Sequence, residues 1–111
     1  MKKYDFIVGI PCSKLKGIFA EIDNFIPCTR EDEAVAFAVG VALMNKKTLV
    51  CIQNSGLGHI IDIMTSLMKP YGIEIDLLIS LRTTPEHHAF MGKITKNMLK
   101  LLEYDKFTLV E

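Results

Sequence analysis

Four short stretches hold the side chains that could do chemistry: Pro11-Cys12-Ser13, Thr29-Arg30-Glu31, Gln53 to Gly58, and Arg82 to His88. Glu31, Asp32 and Glu33 form an acidic cluster just ahead of eleven uncharged residues, Ala34 to Met44. Negative charge is favoured at a helix N-terminus. A carboxylate at the mouth of an apolar helix is also well placed to act on a ligand. Gly56 and Gly58 can expose backbone amides at a helix start, where an anionic or polar group approaches closely. Each feature also has a plain structural reading. Glu31 suits a first helical turn, Ser13 a helix cap, the glycines a tight turn, and His87 and His88 a solvated loop. The functional reading gains weight because all four stretches follow successive strands.

The elements that must position them follow from the apolar pattern. Tyr4–Ile10 reads as a buried strand, and 13–22 as a helix with Leu15, Ile18, Phe19 and Ile22 at amphipathic spacing. Phe25–Cys28 is a short strand, followed by the alanine-rich helix. That helix shows almost no polar face, which predicts that it is enclosed, and Gly40 inside it predicts a close packing partner. Lys47–Gln53 is an unbroken apolar strand, as expected when both faces are covered. Asn54–Gly58 is a loop and His59–Met68 a helix that Pro70-Tyr71-Gly72 breaks. Ile73–Leu81, a helix over Thr95–Leu102 and a strand over Lys106–Val110 complete the chain. Alternating strands and helices predict one α/β domain over 1–111, a three-layer sandwich with a mostly parallel sheet. Ligands meet such sheets at the carboxyl ends of the strands.

Composition narrows the function class. The 111 residues balance 13 basic against 13 acidic side chains, so no basic footprint points to nucleic acid or an acidic membrane. Half the residues are hydrophobic. A neutral chain this apolar is expected to associate with partners. No apolar run approaches the ~20 residues of a membrane span, and no signal-peptide core begins the chain. The expected compartment is therefore the cytoplasm. Cys12, Cys28 and Cys51 lack metal spacing, and Cys51 reads as strand filling. The glycine loop lacks both the GxxxxGK[ST] lysine and the GxGxxG spacing, which speaks against ATP and NAD.

At this point the residues carry a family resemblance. Glu31 followed nine residues later by Gly40, with alanine-rich helix between, resembles the pyrimidine-binding domain of thiamine-diphosphate-dependent decarboxylases. So do the Ser55-Gly56-Leu57-Gly58 loop after a strand and the Gly9-Ile10-Pro11-Cys12-Ser13 turn. More narrowly, PCS, REDEA, QNSGLG and Met91-Gly92-Lys93 resemble sulfopyruvate and phosphonopyruvate decarboxylases. His59 stands where that narrow family usually has Asn, and the helix that usually precedes the first strand is missing.

The resemblance implies a set of roles. Glu31 matches the glutamate that hydrogen-bonds N1′ of the cofactor's aminopyrimidine, with Glu33 the neighbour to test against it. Gln53, Asn54, Ser55, Gly56, Leu57 and Gly58 would back the pyrimidine, and Cys12 and Ser13 would line the pocket. His88 would orient substrate or move protons, a task an imidazole suits. Arg82 and Lys93 are candidates for the sulfonate or phosphonate group. The family holds the diphosphate and Mg²⁺ on a GDG…N segment, which this chain lacks; no metal ligand is expected here. The implied assembly is a hetero-oligomer with a diphosphate-binding β-type subunit, acting on a small anionic 2-keto acid. Two other readings fit parts of the pattern. One is a truncated, non-catalytic pyrimidine-domain homologue that binds partners; the other is an unrelated α/β nucleotide- or phosphate-binding module.

Overall fold

The computed structural model describes residues 3–11, 15 and 24–111. Five strands form one all-parallel sheet: β1 Phe6–Gly9, β2 Phe25–Pro27, β3 Thr48–Gln53, β4 Asp76–Ser80 and β5 Phe107–Val110. Their spatial order is β2-β1-β3-β4-β5. The register aligns Gly9 with Pro27 and Gln53 with Ser80, so the chain leaves these strands along one edge. Three helical elements are described: α1 Glu31–Ala42, a helical segment α2 spanning 54–71, and α3 Glu86–Leu101.

Alternation along the strands places an apolar layer on each face of the sheet. Val8, Val50, Ile52, Leu77 and Ile79 pack with Ala34, Val35, Ala38 and Val39 of α1, with Leu57, Ile60, Met64 and Met68 of α2, and with Leu99 of α3. Ile7, Leu49, Cys51 and Leu78 face the other way, packed with Leu15. Apolar clusters on both faces of a parallel sheet are what the α/β three-layer expectation requires. The helix expected over 13–22 lies outside the described residues apart from Leu15.

Several boundaries differ from the sequence expectation, each for a physical reason. Asn54–Ile60 is not a loop but a 3₁₀ run that continues β3 directly into α2. Leu57, Ile60, Met64 and Met68 recur at helical spacing and are all buried, so burial winds the segment despite its glycines. Pro70 does not end α2. It sits in the last turn of α2, just after the widened π-helical turn Met64–Met68. The helix stops at Gly72, whose φ of +65° closes a Schellman cap, with Ile73 N–H on Met68 O at 2.9 Å and Gly72 N–H on Lys69 O at 3.2 Å. The last helix begins at Glu86, nine residues before Thr95, so His87 and His88 lie in its first turn. Tyr104 then ties the chain after α3 to β4: its hydroxyl donates to Ile75 O and accepts Ile75 N–H at 2.8 Å.

The glycine that packs tightly is not the one the sequence suggests. Gly40 was expected to mark a close contact, yet a Cβ there would meet nothing within 4 Å. The enclosure of α1 is likewise one-sided: Ala36 and Gly40 face outward with Phe37, and beyond the helix Leu43 and Met44 are 70% and 66% exposed. Gly92 is the tight one. A Cβ there would lie 2.8 Å from Thr83 Cα and 2.9 Å from Arg82 O, so only glycine lets α3 lie against the exit of β4. Gly40→Ala in the purified chain is therefore expected to raise stability by roughly 0.5–1 kcal/mol. Gly92→Ala is expected to lower it by roughly 1–3 kcal/mol, since backbone must move. Urea denaturation of both variants checks the contrast.

Candidate functional site

The site is built where the exits of β2, β3 and β4 meet. Arg30, extended at the N-cap, turns the chain from β2 into α1 and delivers Glu31, Asp32 and Glu33 to the first turn. The three acids then part company. Glu33 accepts the Thr29 N–H at 2.8 Å and so closes the turn before the helix. Asp32 pairs with Arg30 at 3.1 Å and accepts the Glu33 N–H at 2.9 Å. The Arg30 guanidinium holds the Asp32 carboxyl below the usual carboxylate range. Glu31 alone turns inward. Its side chain is 14% exposed, and its carboxylate lies so close over Gly56 that a Cβ there would overlap it. Of the first-turn acids, Glu31 rather than Glu33 reaches the glycine segment.

His59 completes this contact. Its Nδ1 lies 2.6 Å from Glu31 Oε1, while Oε2 is the oxygen nearest Gly56. The imidazole is half-exposed, so it stands between the sheltered carboxylate and solvent. No spacing rule links residues 28 apart on different elements, and His59 stood out in the sequence only as a departure from the family pattern. The signal that could have found it was a lone imidazole in the first turns after a glycine segment.

The rest of the glycine segment divides by task. Asn54 is fully buried, and its amide donates to Arg82 O at 3.0 Å and to Thr95 Oγ1 at 2.9 Å. Its Oδ1 accepts the Arg82 N–H at 2.8 Å. The Asn54 side chain therefore clamps β3, β4 and α3 together rather than facing outward. Leu57 is likewise a core side chain. Ser55 donates to Gln53 Oε1 at 2.8 Å at the surface. Gly56 packs under Glu31, whereas Gly58 faces open space; close approach is needed at one glycine, not two.

On the β4 side, Arg82 is fixed through its backbone to Asn54, two residues before Gly56. The rings of His87 and His88 sit 4.1 Å apart. Burial, then the His87 and Arg82 charges, push His88 below the ordinary imidazole value, favouring its neutral form. Lys93 is exposed and lies five residues beyond His88 on α3. That is about 140° around the helix, so the two do not share a face. Cys12 and Ser13 lie outside the described residues. Among the described residues, no group of three or more His, Cys, Asp or Glu side chains is placed to hold a metal ion. No described helix is long and apolar enough to cross a membrane.

Known proteins resemble this chain over most of its length. It is 34% identical over 108 residues to the sulfopyruvate decarboxylase subunit alpha of Methanothermobacter thermautotrophicus, covering 89% of this chain and 66% of that one. It is 34% identical over 113 residues to the same subunit of Methanococcus maripaludis, covering 94% and 68%. The chain belongs to the sulfopyruvate and phosphonopyruvate decarboxylase family. The second name enters through the phosphonopyruvate decarboxylase of Streptomyces viridochromogenes, 31% identical over 110 residues, which span 89% of this chain and 28% of that enzyme. The chain thus spans about two thirds of the length of the alpha subunits it matches. No protein-family model matches it.

Two outcomes test this geometry. Asn54→Ala strands buried partners on Arg82 and Thr95 and is expected to cost roughly 2–3 kcal/mol in urea denaturation. His88 is expected to titrate below an ordinary imidazole in an NMR pH series and to move up in His87→Ser. A midpoint at or above the ordinary value would contradict the geometry.

Proposed function

We propose that this chain is the pyrimidine-side, alpha-type subunit of a thiamine-diphosphate-dependent decarboxylase. Its substrate is a small anionic 2-keto acid, with sulfopyruvate first and phosphonopyruvate second. The observation that carries the reading is the Glu31 carboxylate, sheltered at the strand exits and packed over Gly56. An acid against bare backbone is what an aminopyrimidine ring needs: a charge-assisted partner for a ring nitrogen and a surface without a side chain in the way. The names of the alpha-subunit relatives support the substrate class.

Glu31 would hold the aminopyrimidine, with the backbone of the Gln53–Gly58 segment behind it. When bound, thiamine diphosphate supplies the carbanion and the electron sink that decarboxylation of a 2-keto acid requires. Arg82, beside His88, is the cation suited to a sulfonate or phosphonate. His88, whose neutral form is favoured by partial desolvation and neighbouring positive charge, can accept or donate a proton at the substrate. Lys93, exposed and off that face, is the weaker candidate for the anion. Cys12 and Ser13 remain proposed pocket residues by resemblance.

The chain's residues suit the pyrimidine half of the cofactor and not its diphosphate. Since no described group of side chains is placed to hold a metal ion, the proposal assigns Mg²⁺ and the diphosphate to a β-type partner subunit. The outward apolar strip of α1, Ala36, Phe37 and Gly40 with Leu43 and Met44 beyond, supports association with another chain.

The test is CO₂ release from sulfopyruvate and from phosphonopyruvate by the chain reconstituted with a GDG…N-bearing subunit, thiamine diphosphate and Mg²⁺. Glu31→Gln is expected to lower turnover on the order of 10²–10⁴-fold with the fold retained. Unchanged turnover would remove Glu31 from the chemistry. Association without turnover by the intact chain would favour the non-catalytic homologue.

A further inference from the structure

We propose that His59 is the positioning residue of Glu31: it pins the carboxylate over Gly56. The proposal rests on the cofactor role assigned to Glu31 above and deepens it. At 2.6 Å, the Nδ1 to Oε1 contact is a short, charge-assisted hydrogen bond in which Nδ1–H donates and the carboxylate accepts. With Oε1 so held and Oε2 nearest Gly56, the carboxylate is fixed on two sides. A glutamate side chain has three rotatable bonds and no other described partner that fixes its plane.

Glu31 is sheltered and His59 is half-exposed, so the ring's far edge meets water while its near edge meets the carboxylate. Among the described residues, the charged groups around His59 are Glu31 and Asp32 from the first turn of α1, Arg30 engaged on Asp32, and Asp62 on its own segment. No lysine on α1 or α2 lies within a turn of the pair. The imidazole is thus the side-chain hydrogen-bond partner of Glu31 among the described residues.

The pair is tested first without the reaction, by ¹⁵N NMR of the purified chain with labelled histidine. His59 is expected to carry its proton on Nδ1, with a downfield, slowly exchanging Hδ1 signal that disappears in Glu31→Ala. An Nε2–H ring, or a signal indifferent to Glu31→Ala, would overturn the pairing. The second arm uses the reconstituted enzyme. His59→Ala is expected to lower kcat about tenfold while KM for the keto acid moves little, because an unpinned carboxylate is misplaced rather than absent. His59→Asn is expected to recover most of that loss, since its Nδ2–H falls where Nδ1–H was. Full activity in His59→Ala, or no recovery in His59→Asn, would refute the positioning role. If Glu31→Gln itself keeps turnover, the cofactor reading fails while the NMR pairing stands; if Glu31→Gln is inactive and the NMR pairing is absent, only the role of His59 falls.

Discussion

A carboxylate resting on a glycine is the constraint around which this molecule is arranged. Glu31 comes from the start of α1 and Gly56 from the first turns of α2, and neither can be where it is unless the other is as it is. A methyl group at position 56 would occupy the volume of the carboxylate. The contact exists because β2 and β3 deliver their chains to one edge of a parallel sheet, with β1 between them setting the spacing.

Holding that edge together takes a second, buried device. Asn54 spends both amide protons and its oxygen on β4's exit and on α3, in a place with no water to substitute for a lost partner. Gly92 serves the same end by subtraction, letting α3 close on Thr83. The Glu31 pair and the Arg82–His88 pair are therefore parts of one frame. Asn54 bridges to Arg82 on one side and, two residues on, leads into the glycine under Glu31 on the other.

The chain also keeps a face for something else. The helix α1 buries Ala34, Val35, Ala38 and Val39, and leaves Phe37 half-covered by Phe6 and Leu43 and Met44 exposed at the end far from Glu31. That outward apolar strip is the surface on which the proposed association with another chain rests.

Much of this was legible in the order of residues. Alternation and apolar runs determined five strands, their parallel class and the loops that carry function, because a side chain's preference for burial is expressed locally at a period of two or 3.6. REDEA and QNSGLG likewise singled out Glu31 and the glycine segment. Helix boundaries went astray at Gly56 and Pro70, where a local tendency to break a helix yielded to burial of Leu57, Ile60 and Met68 around them. Which glycine is tight, which first-turn acid points inward, and that His59 meets Glu31 were decided only by tertiary structure. These facts depend on distances between elements far apart in the chain, and no local pattern of residue types encodes such a distance.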